Sequence, residues 1–139
     1  MNERYIRQTM IPEIGEAGQE KLKNAKVLIV GIGGLGSPIS LYLTAAGVGQ
    51  IGLIDDDIVS SSNLQRQILY TEAEIGQSKV ECACRRLSAL NSSTRFETYP
   101  NRFTSDNADR LVSTYDIIVD GCDNAATRYL IDDVCSCFK

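Results

Sequence analysis

Apolar positions along this chain fall into short blocks, and the segments between them follow a different period. Lys26–Val30 (KVLIV), Gln50–Ile54 (QIGLI) and residues 116–120 (DIIVD) are brief runs rich in Val, Ile and Leu. Runs of that length, bounded by glycines or carboxylates, read as strands covered on both faces. Arg95–Tyr99 alternates weakly and is a candidate further strand. The intervening stretches suit helices. Gly15–Asn24 turns Leu22 inward, with Ala25 just behind it. Residues 37–46 are apolar enough to be a packed helix, with Pro38 in the first turn and Gly47 and Gly49 past the end, where each belongs. Ser78 followed by Glu81 reads as a capping box, and the helix behind it puts Val80, Cys84 and Leu87 on one face, with Ala83 and Leu90 beside them. Short helices over residues 107–113 and 125–137 complete the series.

Strands alternating with helices define an α/β fold with a mainly parallel, Rossmann-like sheet flanked by helices. Right-handed crossovers bring the carboxyl ends of the strands to one edge, and ligands bind outside that edge. The loops there are residues 31–36, 55–67 and 121–124.

Composition removes several alternatives. The 139 residues suit one folded unit. No apolar run reaches the roughly 18 residues needed to span a bilayer, and the polar start is not a secretory signal. A net charge of −4 argues against a broad nucleic-acid surface. The five cysteines form no disulfide framework. The pairs Cys82/Cys84 and Cys135/Cys137 lie two apart on helices, where such residues do not face each other. Reduced thiols in a cytoplasm are therefore expected, and no zinc site from this chain. The absence of His excludes Ser-His and Cys-His nucleophile pairs. Proton transfer near neutral pH would need a shifted carboxylate, Lys or Cys.

The candidate chemistry sits at the predicted edge. Gly31, Gly33 and Gly36 form G-x-G-x-x-G between a strand and a helix, with Gly34 inside the loop. Such a loop turns tightly, lets backbone approach phosphate, and presents a helix N-terminus to it. Asp55 follows at the end of the next strand, about 20 residues on, where a carboxylate accepts from a ribose. A bare tight turn is the alternative, but strand, loop, helix and carboxylate all fall in register. They indicate an adenine nucleotide and leave NAD, S-adenosylmethionine and ATP open. Asp56 and Asp57 read equally as solvated loop charges.

Residues 62–67 (SNLQRQ) favour ATP cleavage. Hydride transfer leaves little new charge on phosphates, whereas phosphate displacement gains from cations aimed at developing charge. Arg66 and Lys79 suit that role, although each alone is equally a surface charge. Asp123, just past the last strand, is placed to help hold Mg2+, which usually takes one or two carboxylates plus phosphate oxygens. As a simple turn residue it would need no such explanation.

Together these motifs resemble the family of MoeB, ThiF and the adenylation domains of ubiquitin-activating enzymes. The resemblance runs from Arg4-Tyr5-Ile6-Arg7-Gln8 through the glycine loop, Ala46-Gly47-Val48-Gly49, residues 62–67 and Gly76-Gln77-Ser78-Lys79 to residues 120–124. It implies that Gly31, Gly33, Gly34 and Gly36 cradle ATP and that Asp55 binds its ribose. Asp57 and Gln67 are further nucleotide-binding candidates. Asn63, Arg66 and Lys79 match triphosphate contacts, Asp123 the Mg2+ carboxylate, and Arg7 an arginine that reaches into a neighbouring subunit's site, which implies a homodimer. The implied reaction activates the C-terminal glycine carboxylate of a ubiquitin-like sulfur-carrier protein. Asp55-Asp56-Asp57, residues 67–71 (QILYT) and residues 123–128 (DNAATR) look more like ThiF, of thiamine biosynthesis, than MoeB, of molybdopterin biosynthesis.

Family members run on well past this length, with further strands and C-x-x-C zinc pairs. The helix over residues 125–137 has no capping glycine or following strand. Residues 1–139 are thus expected to be the N-terminal part of one ATP-binding domain, truncated before the remaining strands, with residues 1–25 a helical arm. Zinc is expected only in the remainder. The rival readings are an NAD-dependent oxidoreductase and a catalytically inactive nucleotide-binding or dimerisation fragment.

Overall fold

The computed structural model describes residues 2–138. A 3-10 turn at Glu3–Tyr5 leads into α1 (Ile6–Thr9) and α2 (Gly15–Asn24). Then β1 (Lys26–Val30), α3 (Gly36–Ala46) and β2 (Gln50–Ile54) follow, with 3-10 turns at Ser61–Asn63 and Glu72–Glu74. The chain continues through α4 (Lys79–Leu90), β3 (Arg95–Tyr99), α5 (Ser105–Thr114), β4 (Ile117–Asp120) and α6 (Ala125–Phe138). The strands form one sheet of order β3-β2-β1-β4, with every neighbouring pair parallel. The expected Rossmann-like α/β architecture is the observed one.

Alternation along the central strand divides the interior in two. Val27 and Ile29 of β1 join Ile51, Leu53, Val80, Ala83 and Leu87 in one cluster, on the side of α3 and α4. Leu28 and Val30 join Ala108, Leu111, Val112 and Ile131 in the other, under α5 and α6. Past their first residues, Lys26 and Gln50, β1 and β2 are buried on both faces, so the rest of each strand reads as an apolar run.

Three local expectations are corrected. The last strand was expected to be buried, but β4 is the sheet edge among the described residues, and its Ile117 is 55% exposed. Ser78 makes no capping hydrogen bond. It is held in an antiparallel bridge to Ile58, and the boxes form at Ser60/Asn63, Thr71/Glu74 and Thr104/Asn107 instead. On α4 the buried thiol is Cys82, whereas Cys84 is half-buried. No helix of the described residues is long and apolar enough to cross a membrane.

The segment before β1 is stapled to the core by buried polar contacts. Asn91 Nδ2 donates to Tyr5 Oη at 2.8 Å and to Thr44 O at 3.0 Å. Gln8 Nε2 and Gln19 Nε2 both donate to Ala46 O at 3.0 Å. Replacing Asn91 by Ala leaves Thr44 O and the tyrosine hydroxyl short of a buried partner. A loss of about 1–3 kcal/mol in urea unfolding is expected. An unchanged midpoint would mean that water replaces the amide at no cost.

Candidate functional site

β1 and β2 end side by side, and their loops are tied to each other. Gly31 N donates to Ile54 O at 2.9 Å, and Ile32 N to Asp55 Oδ2 at 2.8 Å. Asp55 Oδ1 accepts from Asp57 N, also at 2.8 Å. Both carboxylate oxygens are thus fixed by backbone and keep lone pairs to spare. Tyr70 Oη, buried beneath the loop, donates to Ile32 O at 2.6 Å. Burial, followed by the charge of Asp55, pushes this phenol far above its ordinary range, so it remains a donor.

The glycine loop wraps the N-terminus of α3. Gly31 has φ +89°, and a Cβ there would stand 2.9 Å from Cys122 N and Gly121 O. A Cβ on Gly36 would fall onto Gly31 O. Only hydrogen fits at these positions, which keeps the loop close to the sheet and leaves its outer surface open.

That open surface forms one wall of a cavity of about 540 Å3. Of the residues singled out in the sequence, Gly31, Gly33, Gly34, Asp55, Asp57, Arg66, Gln67, Lys79 and Asp123 line it. Gly36 lies beneath the loop rather than on the wall. Asn63 is outside the lining, its Oδ1 accepting from Ser60 N at 3.2 Å in a capping box. Arg7 is exposed on α1 and is not brought to this cavity.

The cations arrive from different elements. Arg66 follows the Ser61–Asn63 turn, donates from Nη1 to Ser62 O at 3.3 Å, and has no ion pair among the described residues. Its stem lies along Gly34, where a Cβ would meet Arg66 Cδ at 3.5 Å. Lys79 opens α4; it is only 4% exposed, and its Nζ pairs with Asp57 Oδ2 at 3.2 Å. A lysine is buried at all only when a partner offsets the loss of water. The amide of Gln67 lies against Gly33, and its Oε1 is buried without a hydrogen-bond partner among the described residues.

Sequence reasoning missed the part of the lining that follows β3. Asn101, Arg102 and Phe103, in the loop after β3, line the cavity together with Thr127 of α6. Arg102 Nε faces Asp56 Oδ2 at 3.8 Å across the mouth. No motif marks that loop. The available signal was topological, since a third parallel strand must deliver its following loop to the same edge.

Cys122 also lines the cavity. Burial first, then its hydrogen bond to Asp120, holds its thiol above the usual range. Cys82 is raised by burial and then by Glu74. A raised thiol is protonated and unreactive at neutral pH. Iodoacetamide at neutral pH is therefore expected to label exposed Cys137 well before Cys122 or Cys82, as peptide mass mapping would show. Early labelling of Cys122 would contradict this order.

The profile of the ThiF family matches residues 5–139. The chain belongs to the ThiF family. As a ThiF-family chain it is 50% identical over 131 residues to a Thermus thermophilus protein named sulfur carrier protein adenylyltransferase, covering 94% of this chain and 48% of that one. It is 52% identical over 136 residues to the Culex quinquefasciatus adenylyltransferase and sulfurtransferase MOCS3, covering 98% of this chain and 31% of that one. A crystal structure of E. coli MccB with ATP superposes with a TM-score of 0.80 at 35% identity, over 90% of this chain and 39% of that one. The chain thus spans about half the length, or less, of these relatives.

Proposed function

We propose that this chain is the nucleotide-binding part of an ATP-dependent adenylyltransferase acting on the C-terminal glycine carboxylate of a ubiquitin-like sulfur-carrier protein. The observation that carries the reading is the meeting of Arg66, Lys79 and Asp123 around one cavity above the glycine loop. The name of the Thermus relative and the ATP in the MccB crystal support it.

In this reading ATP is the substrate. Gly31, Gly33 and Gly34 give its phosphates backbone to lie against, Asp55 takes its ribose, and apolar Val30, Ile54 and Phe103 offer a wall to its base. The carrier carboxylate is already ionised at neutral pH, so its attack on the α-phosphate needs no base. Pyrophosphate leaves, and an acyl-adenylate remains. What the protein supplies is in-line positioning and fixed positive charge. Arg66 and Lys79 supply the charge, with Gln67 beside them and Asn63 fixing the turn that carries Arg66.

The site also fits Mg2+ in a limited way. Asp123 stands exposed on the cavity wall, and no cluster of three acidic, Cys or His side chains converges among the described residues. One carboxylate completed by phosphate oxygens suits Mg2+, which when bound would neutralise charge on the triphosphate.

Arg7, exposed and away from its own cavity, is free to serve a second copy in a homodimer. A thiamine-type carrier is favoured over a molybdopterin-type one by the resemblance of residues 55–57, 67–71 and 123–128. Residues 1–139 would be the N-terminal part of the ATP-binding domain, with 1–25 as an arm, in a cytoplasmic protein whose remainder holds any zinc.

Carrier-dependent ATP–pyrophosphate exchange by the intact protein tests the activity. Exchange with a carrier ending in glycine is the expected result. NADH binding with enhanced fluorescence and no exchange would replace the reading with an oxidoreductase. ATP binding without exchange would leave a nucleotide-binding module.

A further inference from the structure

Asp123 belongs to a turn whose shape is fixed from outside the cavity. β4 ends at Asp120, and both oxygens of that carboxylate are engaged. Oδ1 accepts from Cys122 N at 3.1 Å and from Cys122 Sγ at 2.7 Å. Oδ2 faces Arg128 Nε at 3.3 Å. The same guanidinium donates from Nη2 to Cys122 O at 2.8 Å. Gly121 N donates to Val30 O at 2.8 Å, and a Cβ on Gly121 would stand 2.6 Å from Gly31 O. On the far side, Asn124 Oδ1 accepts from Thr127 N at 3.0 Å and caps α6. The residues around Asp123 are therefore pinned to β1, β4 and α6, while the Asp123 carboxylate makes no hydrogen bond or ion pair among the described residues. Arg128 itself is not part of the cavity wall.

We infer that Arg128, bridging the Asp120 carboxylate and Cys122 O, is a positioning residue that aims Asp123 at a divalent cation held against the nucleotide's phosphates. The inference rests on the proposed reading of Asp123 as the Mg2+ carboxylate. The bridge needs the planar fork of arginine, because one group must satisfy a carboxylate and a carbonyl at once. The Arg128 side chain is 56% exposed, so the ion pair adds little to stability. Its effect lies in geometry. Mg2+ demands short, nearly octahedral coordination, and one protein carboxylate displaced by a relaxed turn loses it.

The test titrates ATP into the intact protein with magnesium chloride and again with EDTA. The ratio of the two dissociation constants reads the contribution of the cation, separately from turnover. Arg128→Gln is expected to reduce that ratio about 10-fold while leaving affinity in EDTA and the melting temperature near wild type. Asp120→Asn should behave alike, since it removes the same ion pair. Arg128→Lys, which keeps the charge without the fork, should also lower the ratio and guards against a glutamine variant that folds poorly. Asp123→Asn should abolish the ratio, and adding Arg128→Gln to it should change nothing more. A wild-type ratio in the Arg128 variants, with Asp123→Asn abolishing it, overturns the inference and leaves Asp123 in place. A further loss in the double variant, or affinity in EDTA falling in step, means that Arg128 acts on the fold instead and also overturns it. A ratio that survives Asp123→Asn overturns the reading of Asp123 itself, and the inference with it.

Discussion

Replacing Gly36 by alanine is expected to destabilise the protein by more than about 3 kcal/mol, the upper end of what overpacking usually costs, and to abolish ATP binding. The methyl group would land on Gly31 O, with Gly31 C at 3.0 Å and Ile29 Cγ2 at 3.7 Å behind it. None of these is the loose end of a flexible side chain. Gly31 cannot retreat, because its own N–H is held by Ile54 O and its other face meets Gly121 and Cys122. The strain must therefore move α3 away from β1, which opens the loop that approaches the phosphates. Gly34→Ala is the matched control. Its Cβ meets only Arg66 side-chain atoms, at 3.5 Å or more, an ordinary contact, so wild-type stability is expected. Urea unfolding and calorimetric ATP titration of both variants check the pair. A Gly36→Ala protein that unfolds late and binds ATP would show that the glycine loop is not interlocked as described.

The same geometry explains what the sequence made legible. β1, β2 and β3 have the bounds that their residue patterns predict. For β1 and β2 the reason is burial on both faces past the first residue, which makes the rest of each strand an apolar run. The glycine loop was legible because Gly31 and Gly36 answer to steric demands that no other residue meets. Ser78 misled because its T/S-x-x-E spacing is a local signal, overridden by the long-range bridge to Ile58. Thr71 and Glu74 carry the same spacing and do form the box. α1 has too few residues for any period to show, and what holds the segment around it is contact with distant partners, Tyr5 to Asn91 and Gln8 to Ala46. Cys84 and Cys82 exchanged places because an apolar stripe drawn at ideal spacing ignores where the sheet lies. At the cavity, residues with chemical character stood out in the sequence, while Asn101 and Phe103 did not. Their place there comes only from the position of β3 in the sheet.

Arg66→Ala is expected to lower carrier-dependent pyrophosphate exchange in the intact protein by about 30- to 1,000-fold, equivalent to roughly 2–4 kcal/mol of lost transition-state stabilisation. Charge grows on the departing pyrophosphate as the carboxylate arrives, and a fixed cation lowers that barrier only if it is already in place. Arg66 meets the requirement. Its stem rests on Gly34, its Nη1 is held by Ser62 O, and no carboxylate among the described residues competes for the rest of its fork. Lys79 is constrained differently, because part of its charge is committed to Asp57. The loss should therefore appear in kcat more than in KM, as it does when a contact strengthens only in the transition state. Arg102 supplies the contrast within the same cavity. Both guanidinium groups are exposed, but that of Arg102 is already paired with Asp56, at 3.8 Å. Exposed pairs of that kind contribute little, so Arg102→Ala should stay within a few-fold of wild type. Exchange untouched by Arg66→Ala, in a protein shown to be active, would remove Arg66 from the reaction. Equal losses at Arg66 and Arg102 would mean that the cavity works through its overall charge rather than through one placed guanidinium.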